Sequence, residues 1–239
     1  MFWRFGTYAN VSTLDTILDK PDVTLEELLD ESDLIQELKQ HNTKLIEYLR
    51  DENVLRRLLE YVVAPPLYNP ESEDDDMEEE EEPPAPKKSA FSPVRSLSLG
   101  RSKEDKARSK RQEEREELEK ADKTRQKYAY TACEVLASET WSIIEALMDN
   151  QQHLRQFWQF VKREAPLDPV AAGYFTKINE TLLDKKTEET LDFVKSLDGI
   201  IPAMLQHVDC PMVMDLLLKI ISMEKAEGGQ GIVDVSELI

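Results

Sequence analysis

Ten of the twelve residues from Glu71 to Glu82 are acidic, and like charges at that density cannot enter an apolar interior without a prohibitive loss of hydration. The run therefore lies outside any core and divides the chain into two candidate folding blocks. Pro65-Pro66 closes the block before it, and Pro83-Pro84-Ala85-Pro86 stiffens the chain immediately after it. From Lys87 to Arg111 nine basic residues face two acidic ones, interleaved with serine. Gln112 to Arg125 carries almost no apolar stripe, although its Glu and Lys spacing supports an exposed helix leading into the next block. The expected organisation is a helical block at 1–66, a disordered acidic then basic, serine-rich insertion at 67–120, and a second helical block at 121–239.

Both blocks are patterned for helices. Leu14, Ile17 and Leu18 share a face, and Thr24 with Glu27 forms a capping box ahead of Leu25, Leu28 and Leu29. Ser32 is the expected cap of a helix carrying Leu34, Ile35 and Leu38, which continues or kinks near Asn42 into Leu45, Ile46 and Leu49. Val54, Leu55, Leu58, Leu59 and Val62 repeat the stripe. After the insertion, Tyr128 to Met148 offers Ala132, Leu136, Ile143, Ile144 and Leu147, and Leu154, Phe157, Phe160 and Val161 extend the pattern until Pro166 interrupts. Phe175, Ile178 and Leu182 come next, then Leu191 and Val194, then Pro202 at a helix start ahead of Met204, Leu205 and Val208. Pro211 opens a last helix with its stripe at Met214, Leu217, Leu218 and Ile221. Apolar faces recurring about every 15 to 20 residues are the rhythm of HEAT or armadillo arrays, whose repeats run to about 40 to 47 residues. The expected fold is therefore an all-α, helical-repeat (HEAT/armadillo-like) solenoid with a long disordered charged insertion, and a closed helical bundle is its competitor.

A net charge of −19 over 239 residues argues against a nucleic-acid partner, because phosphate affinity needs concentrated positive charge. No stretch approaches the roughly 18 apolar residues of a membrane span, so no membrane insertion is expected. Cys133 and Cys210 belong to no CxxC pair and suit a reducing interior; the chain reads as soluble and intracellular, cytoplasmic with the nucleus as a second compartment. His41, His153 and His207 form no HExxH-type pair, and GxGxxG, P-loop and GxSxG motifs are absent, so no catalytic, metal-binding or cofactor-binding residue is assigned. Cys133 sits in an apolar helical pattern and reads as a core thiol rather than a nucleophile. The chain is expected not to be an enzyme.

Several ordered blocks resemble one family. Met1-Phe2-Trp3-Arg4-Phe5, Leu18-Asp19-Lys20, Val23-Thr24-Leu25-Glu26-Glu27-Leu28 and Gln36-Glu37-Leu38-Lys39-Gln40-His41-Asn42-Thr43-Lys44-Leu45 are similar to the amino terminus of SAPS-domain proteins, regulatory subunits of type 6-like serine/threonine protein phosphatases. Ala132-Cys133-Glu134-Val135-Leu136, Pro166-Leu167-Asp168-Pro169, Tyr174-Phe175-Thr176-Lys177, Lys185-Lys186-Thr187-Glu188 and the run from Met214 to Ser222 agree in order. The resemblance implies a non-catalytic subunit of helical-repeat fold that binds the phosphatase catalytic subunit, leaves room for a further regulatory subunit, and directs activity in cell-cycle and nutrient signalling. Its implied extent makes this the amino-terminal portion of a fungal-type member, with the charged segment as an insertion. A helical scaffold or trafficking adaptor unconnected with a phosphatase is the alternative.

The candidate partner-binding residues are Phe2, Trp3, Asp168, Tyr174, Lys185, Lys186 and Asp215. The terminal aromatics either cap the first helices or anchor a partner. Ser92 precedes a proline and Ser98 lies three residues after Arg95; with Ser96 they are candidate phosphorylation sites. Each phosphate adds about −1.5 to −2 charges, so about four would cancel the local basic excess.

Overall fold

Each apolar stripe of the first block is a helix in the computed structural model, which describes residues 13–67 and 103–226. The chain divides into two compact units, Met1–Pro65 with Arg125–Ile239, and Pro66–Thr124. In the first unit α1 (Thr13–Leu18), α2 (Leu25–Asp30), α3 (Leu34–Lys39), α4 (Thr43–Leu49) and α5 (Glu52–Val62) succeed one another closely. Side-chain oxygens set their starts. Thr24 accepts the Glu27 N–H at 3.3 Å, Asn42 accepts that of Leu45 at 3.2 Å, and Asp51 accepts those of Asn53 and Val54 at 2.9 and 3.3 Å. The Glu27 carboxylate of the expected capping box faces Lys20 at 3.3 Å. Ser32 does not cap α3: the N-cap is Asp33, and the Ser32 hydroxyl donates to that neighbouring carboxylate at 3.2 Å, a stronger local acceptor than any backbone alternative. At Asn42 the helix breaks outright, with His41 at a φ of 59°.

The remaining helices are α6 (Lys103–Leu136), α7 (Trp141–Asp149), α8 (Gln151–Phe157), α9 (Pro169–Lys185), α10 (Thr187–Lys195), α11 (Ile200–Leu205) and α12 (Pro211–Ala226), with a 3₁₀ turn at Trp158–Lys162. Among the described residues there is no strand. Pro211 opens α12 as expected, whereas Pro202 is the third residue of α11, still within the first turn where a missing N–H costs nothing.

Two stripes read differently in the structure. The stripe from Tyr128 to Met148 belongs to two helices, broken at Ser138–Thr140 with Glu139 at a φ of 60°. Leu136 and Ile143 keep helical spacing across the break, so periodicity hides it. In α12 the buried line is Val213, Leu216, Leu217 and Ile220, and Leu218 is 61% exposed. The helix is apolar on two faces one residue out of phase, and spacing alone cannot choose between them.

Within the second unit the backbone is helical from Lys103, inside the stretch whose charge placed it in the insertion. Side chains one turn apart explain this: Lys110 pairs with Glu114 at 3.4 Å and Arg115 with Glu119 at 3.3 Å. Asp122 is buried there and accepts the Leu67 N–H at 2.9 Å.

The core of the first unit centres on Phe175, whose ring centroid lies 4.9 Å from Phe157, 5.1 Å from Trp158 and 5.3 Å from Phe160. A polar seam joins the residues before the insertion to those after it. Arg57 and Tyr61 on α5 both donate to Glu26 on α2. Burial pushes Glu26 up, but these donors hold its carboxyl below its ordinary value, and burial with the same bond raises Tyr61 to about 12. Lys127 reaches Asp30 at 2.6 Å and the Tyr128 hydroxyl donates to Asp30 at 3.1 Å. The carbonyls just past α5 are taken by two arginines, Val63 by Arg163 at 2.7 Å and Ala64 by Arg125 at 3.1 Å.

Ala64 and Arg125 are thus neighbours in space, and a loop whose ends already meet can be shortened at little entropic cost. Replacing residues 67–122 by a short Gly/Ser linker is expected to leave a cooperative melt within about 5 °C of the parent; loss of cooperativity in circular dichroism would refute the closure. Phe175→Ala is expected to cost about 3–5 kcal/mol in urea unfolding, whereas Leu218→Ala should stay within about 0.5 kcal/mol.

Candidate partner-binding surface

Asp168 starts α9 by accepting the Val170 N–H at 2.9 Å, with Pro169 in the first helical position. That cap fixes the phase of the helix, and Val170, Tyr174, Lys177, Thr181 and Lys185 then fall on one line along it. The opposite line is supplied by the last turns of α6 and the turn into α7. The Tyr174 ring lies 6.4 Å from Tyr130, centroid to centroid, and Lys177 is ion-paired with Glu134. Lys185 meets Glu139 at 2.5 Å, and Lys186 lies 4.6 Å above the Trp141 ring while also reaching Glu189 at 3.1 Å.

The four rungs run, in order, ring on ring, charge on charge, charge on charge and cation on ring. Exposed ion pairs contribute little net stability, so the charged rungs serve to orient side chains more than to hold the fold. The bond to Glu134 raises the Lys177 pKa, and burial raises that of Tyr174. Every lysine of the ladder is therefore occupied, while the apolar edges stay open. Tyr130, Trp141 and Val170 are 54%, 55% and 56% exposed, and rings held in place but left in water bury large area at small entropic cost when a partner arrives.

The structure brings Asp168, Tyr174, Lys185 and Lys186 onto this one surface. Asp215 is exposed on α12 and lies off the ladder. Phe2, Trp3, Ser92, Ser96 and Ser98 lie outside the described residues. Tyr130, Glu134, Glu139 and Trp141 were not singled out by sequence reasoning. For Trp141 a signal existed: it shares a helical face with Glu145 and Asp149, both exposed, instead of with the Ile143–Leu147 stripe.

The histidines are dispersed. His41 is exposed, a His153 ring nitrogen lies 3.1 Å from Glu52, and His207 is buried with a ring nitrogen 2.9 Å from the Val161 carbonyl oxygen. Among the described residues no group of three or more His, Cys, Asp or Glu is placed to hold a metal ion, and no helix is long and apolar enough to cross a membrane.

Residues 179–238, from the second half of α9 through α12 and beyond, match the SAPS family model, described as SIT4 phosphatase-associated protein. Over 239 aligned residues the chain is 35% identical to extragenic suppressor of kinetochore protein 1 of Schizosaccharomyces pombe, covering 98% of this chain and 23% of that protein. The chain is thus similar to SAPS-family proteins. It is also 28% identical over 222 residues to serine/threonine-protein phosphatase 6 regulatory subunit 3 of Gallus gallus, covering 93% of this chain and 20% of that one. SIT4-associating protein SAP185 of Saccharomyces cerevisiae is 38% identical over 119 residues, or 50% of this chain and 11% of the relative. The chain thus spans less than a quarter of the length of each of these relatives. No solved structure matches it.

Cys133 backs the ladder, its Sγ 3.9 Å from the Tyr174 carbonyl oxygen, and burial pushes its thiol up to about 12. Only a thiolate attacks an alkylating agent. At pH 8 native Cys133 should react with iodoacetamide more than about 100-fold slower than in the urea-unfolded chain, read by mass spectrometry of the Cys133 peptide.

Proposed function

We propose that this chain is part of a non-catalytic regulatory and targeting subunit that binds a type 6-like serine/threonine protein phosphatase catalytic subunit and directs its activity. The observation that carries the reading is the ladder of oriented but exposed rings on α6, α7 and α9. It offers contact area and no reacting group, as expected of a surface that positions a partner. Two relatives support it by name, one a regulatory subunit of phosphatase 6 and one a SIT4-associating protein. Catalysis then belongs to the partner, and this subunit raises the effective concentration of substrate near it. Asp168 acts in the proposal by holding the phase of α9, and Tyr174, Lys185 and Lys186 act with Tyr130 and Trp141 at the contact. The cytoplasm and nucleus are the proposed places of action, and Ser92, Ser96 and Ser98 the proposed points of phosphorylation.

We read the architecture as an armadillo-like array. α1 packs on α4 and α4 on α7, α5 packs on α8, and α9 packs on α12, a recurrence every three elements that matches three-helix repeats. From Pro169 at the start of α9 to Pro211 at the start of α12 the chain advances by one such repeat length of about 40 to 47 residues. Such arrays present extended surfaces formed by successive repeats, on which two proteins can be held together.

The test is reconstitution of the full chain with a purified type 6-like catalytic subunit, read by size-exclusion chromatography and titration calorimetry. A stoichiometric complex is expected. Tyr174→Ala and Trp141→Ala should each weaken it about 10-fold or more, with melting temperature changed by less than about 3 °C. A chain that forms no complex, or variants that bind as tightly as the parent, would defeat the assignment.

A further inference from the structure

The C-terminal half of α5, α8 and the end of the 3₁₀ turn enclose a recess of about 370 Å³ that the ladder does not use. Its floor is apolar, with Leu59, Val63 and Phe157 among its lining residues and all three buried. Its rim carries Arg56, His153 and Arg163, and one carboxylate, Glu60. Two of these have anionic partners: Arg56 pairs with Glu60 at 2.5 Å and the His153 ring faces Glu52 at 3.1 Å. Arg163 is different. Its guanidinium donates to the Val63 carbonyl at 2.7 Å and lies 5.1 Å from the Phe160 ring centroid, and among the described residues it has no carboxylate partner. Arg163 is an exposed residue whose inner side is partly covered, and that partial burial pulls its pKa below the ordinary value, the direction expected of a cation that has given up some of its water.

A guanidinium has five donors in a planar fork, and one carbonyl uses only one of them. The remaining donors suit a carboxylate, which would supply the missing charge in a setting less screened than open solvent. The recess volume lies near the lower end of ordinary ligand pockets, about 300 Å³, enough for a side chain or two. We propose that this recess is a docking site for an acidic linear peptide of a partner protein, which sets a carboxylate on Arg163 and an adjoining apolar side chain on Leu59, Val63 and Phe157. The site lies on α5 and α8, so it is separate from the α6, α7 and α9 surface and does not depend on the phosphatase reading.

A random heptapeptide phage library panned on the full chain tests this. Selected peptides should combine Asp or Glu with a neighbouring large apolar residue. The same peptides, made synthetically and titrated by fluorescence polarisation, should bind Arg163→Gln at least 10-fold more weakly, with Arg163→Lys restoring part of the loss. Arg163 also holds the end of α5, so a second variant guards against misfolding: Gln156→Glu adds a negative charge to the exposed rim and should weaken acidic peptides severalfold with an unchanged melting curve. Selection of peptides without acidic residues would overturn the proposal. So would acidic peptides that bind parent and both variants alike, or a chain dimer abolished by Arg163→Gln, which would give the recess to a second copy.

Discussion

Where α5 ends, two carbonyls are left without intrahelical partners, and arginines from far along the chain take both. Arg125 bonds Ala64 and Arg163 bonds Val63. An unmet carbonyl at a partly buried helix end is expensive, and here the remedy also closes the chain across a highly charged interruption. Glu26 and Asp30 on α2 work alongside, receiving Arg57, Tyr61, Lys127 and Tyr128. Direct packing of α4 on α7 and of α5 on α8 joins the same two parts of the chain. The last turns of α6 then supply Tyr130 and Glu134 to the ladder.

The ladder shows how little of a surface is decided by residue type. Lys185 and Lys186 are candidate contact residues by sequence, and the structure engages both of them and Lys177, two with glutamates of the opposite line and one with both a ring and a glutamate. Pairing cancels their charge as a recruiting field and uses it for orientation instead. What remains open is apolar. The recess under α5 is the converse: Arg56 and His153 have anionic neighbours, and the guanidinium of Arg163 is left with a backbone carbonyl and a ring. One region thus presents area and the other presents charge, so they suit partners of different chemistry.

Helix existence was legible in the two apolar-patterned blocks, because leucines at three- and four-residue spacing leave few alternatives. Thr24, Asn42 and Pro211 also marked helix starts or breaks correctly. Sequence reading failed where two local solutions were nearly equal. Ser32 and Asp33 compete for one cap, and α12 carries two apolar faces offset by one residue. The break at Ser138–Thr140 is masked because Leu136 and Ile143 stay in phase across it. Lys103–Arg111 carries a different lesson: charge density speaks to solvation, and a solvated segment can still be helical when opposite charges recur one turn apart.

For the site, sequence resemblance selected Asp168, Tyr174, Lys185 and Lys186 without their opposing residues. The facing line comes from positions 130 to 141, some forty residues earlier, and no local pattern connects the two. By itself the amino-acid sequence determined that the chain is helical, that an acidic run must stay in water, and which family it resembles, because periodicity, charge density and ordered motifs are local properties of the chain. Only the tertiary structure decided which lysines are neutralised, which face of α12 is buried and which arginine lacks a counter-ion. Each of those depends on what another helix places within a few ångströms, and electrostatic and packing energies are set by that distance.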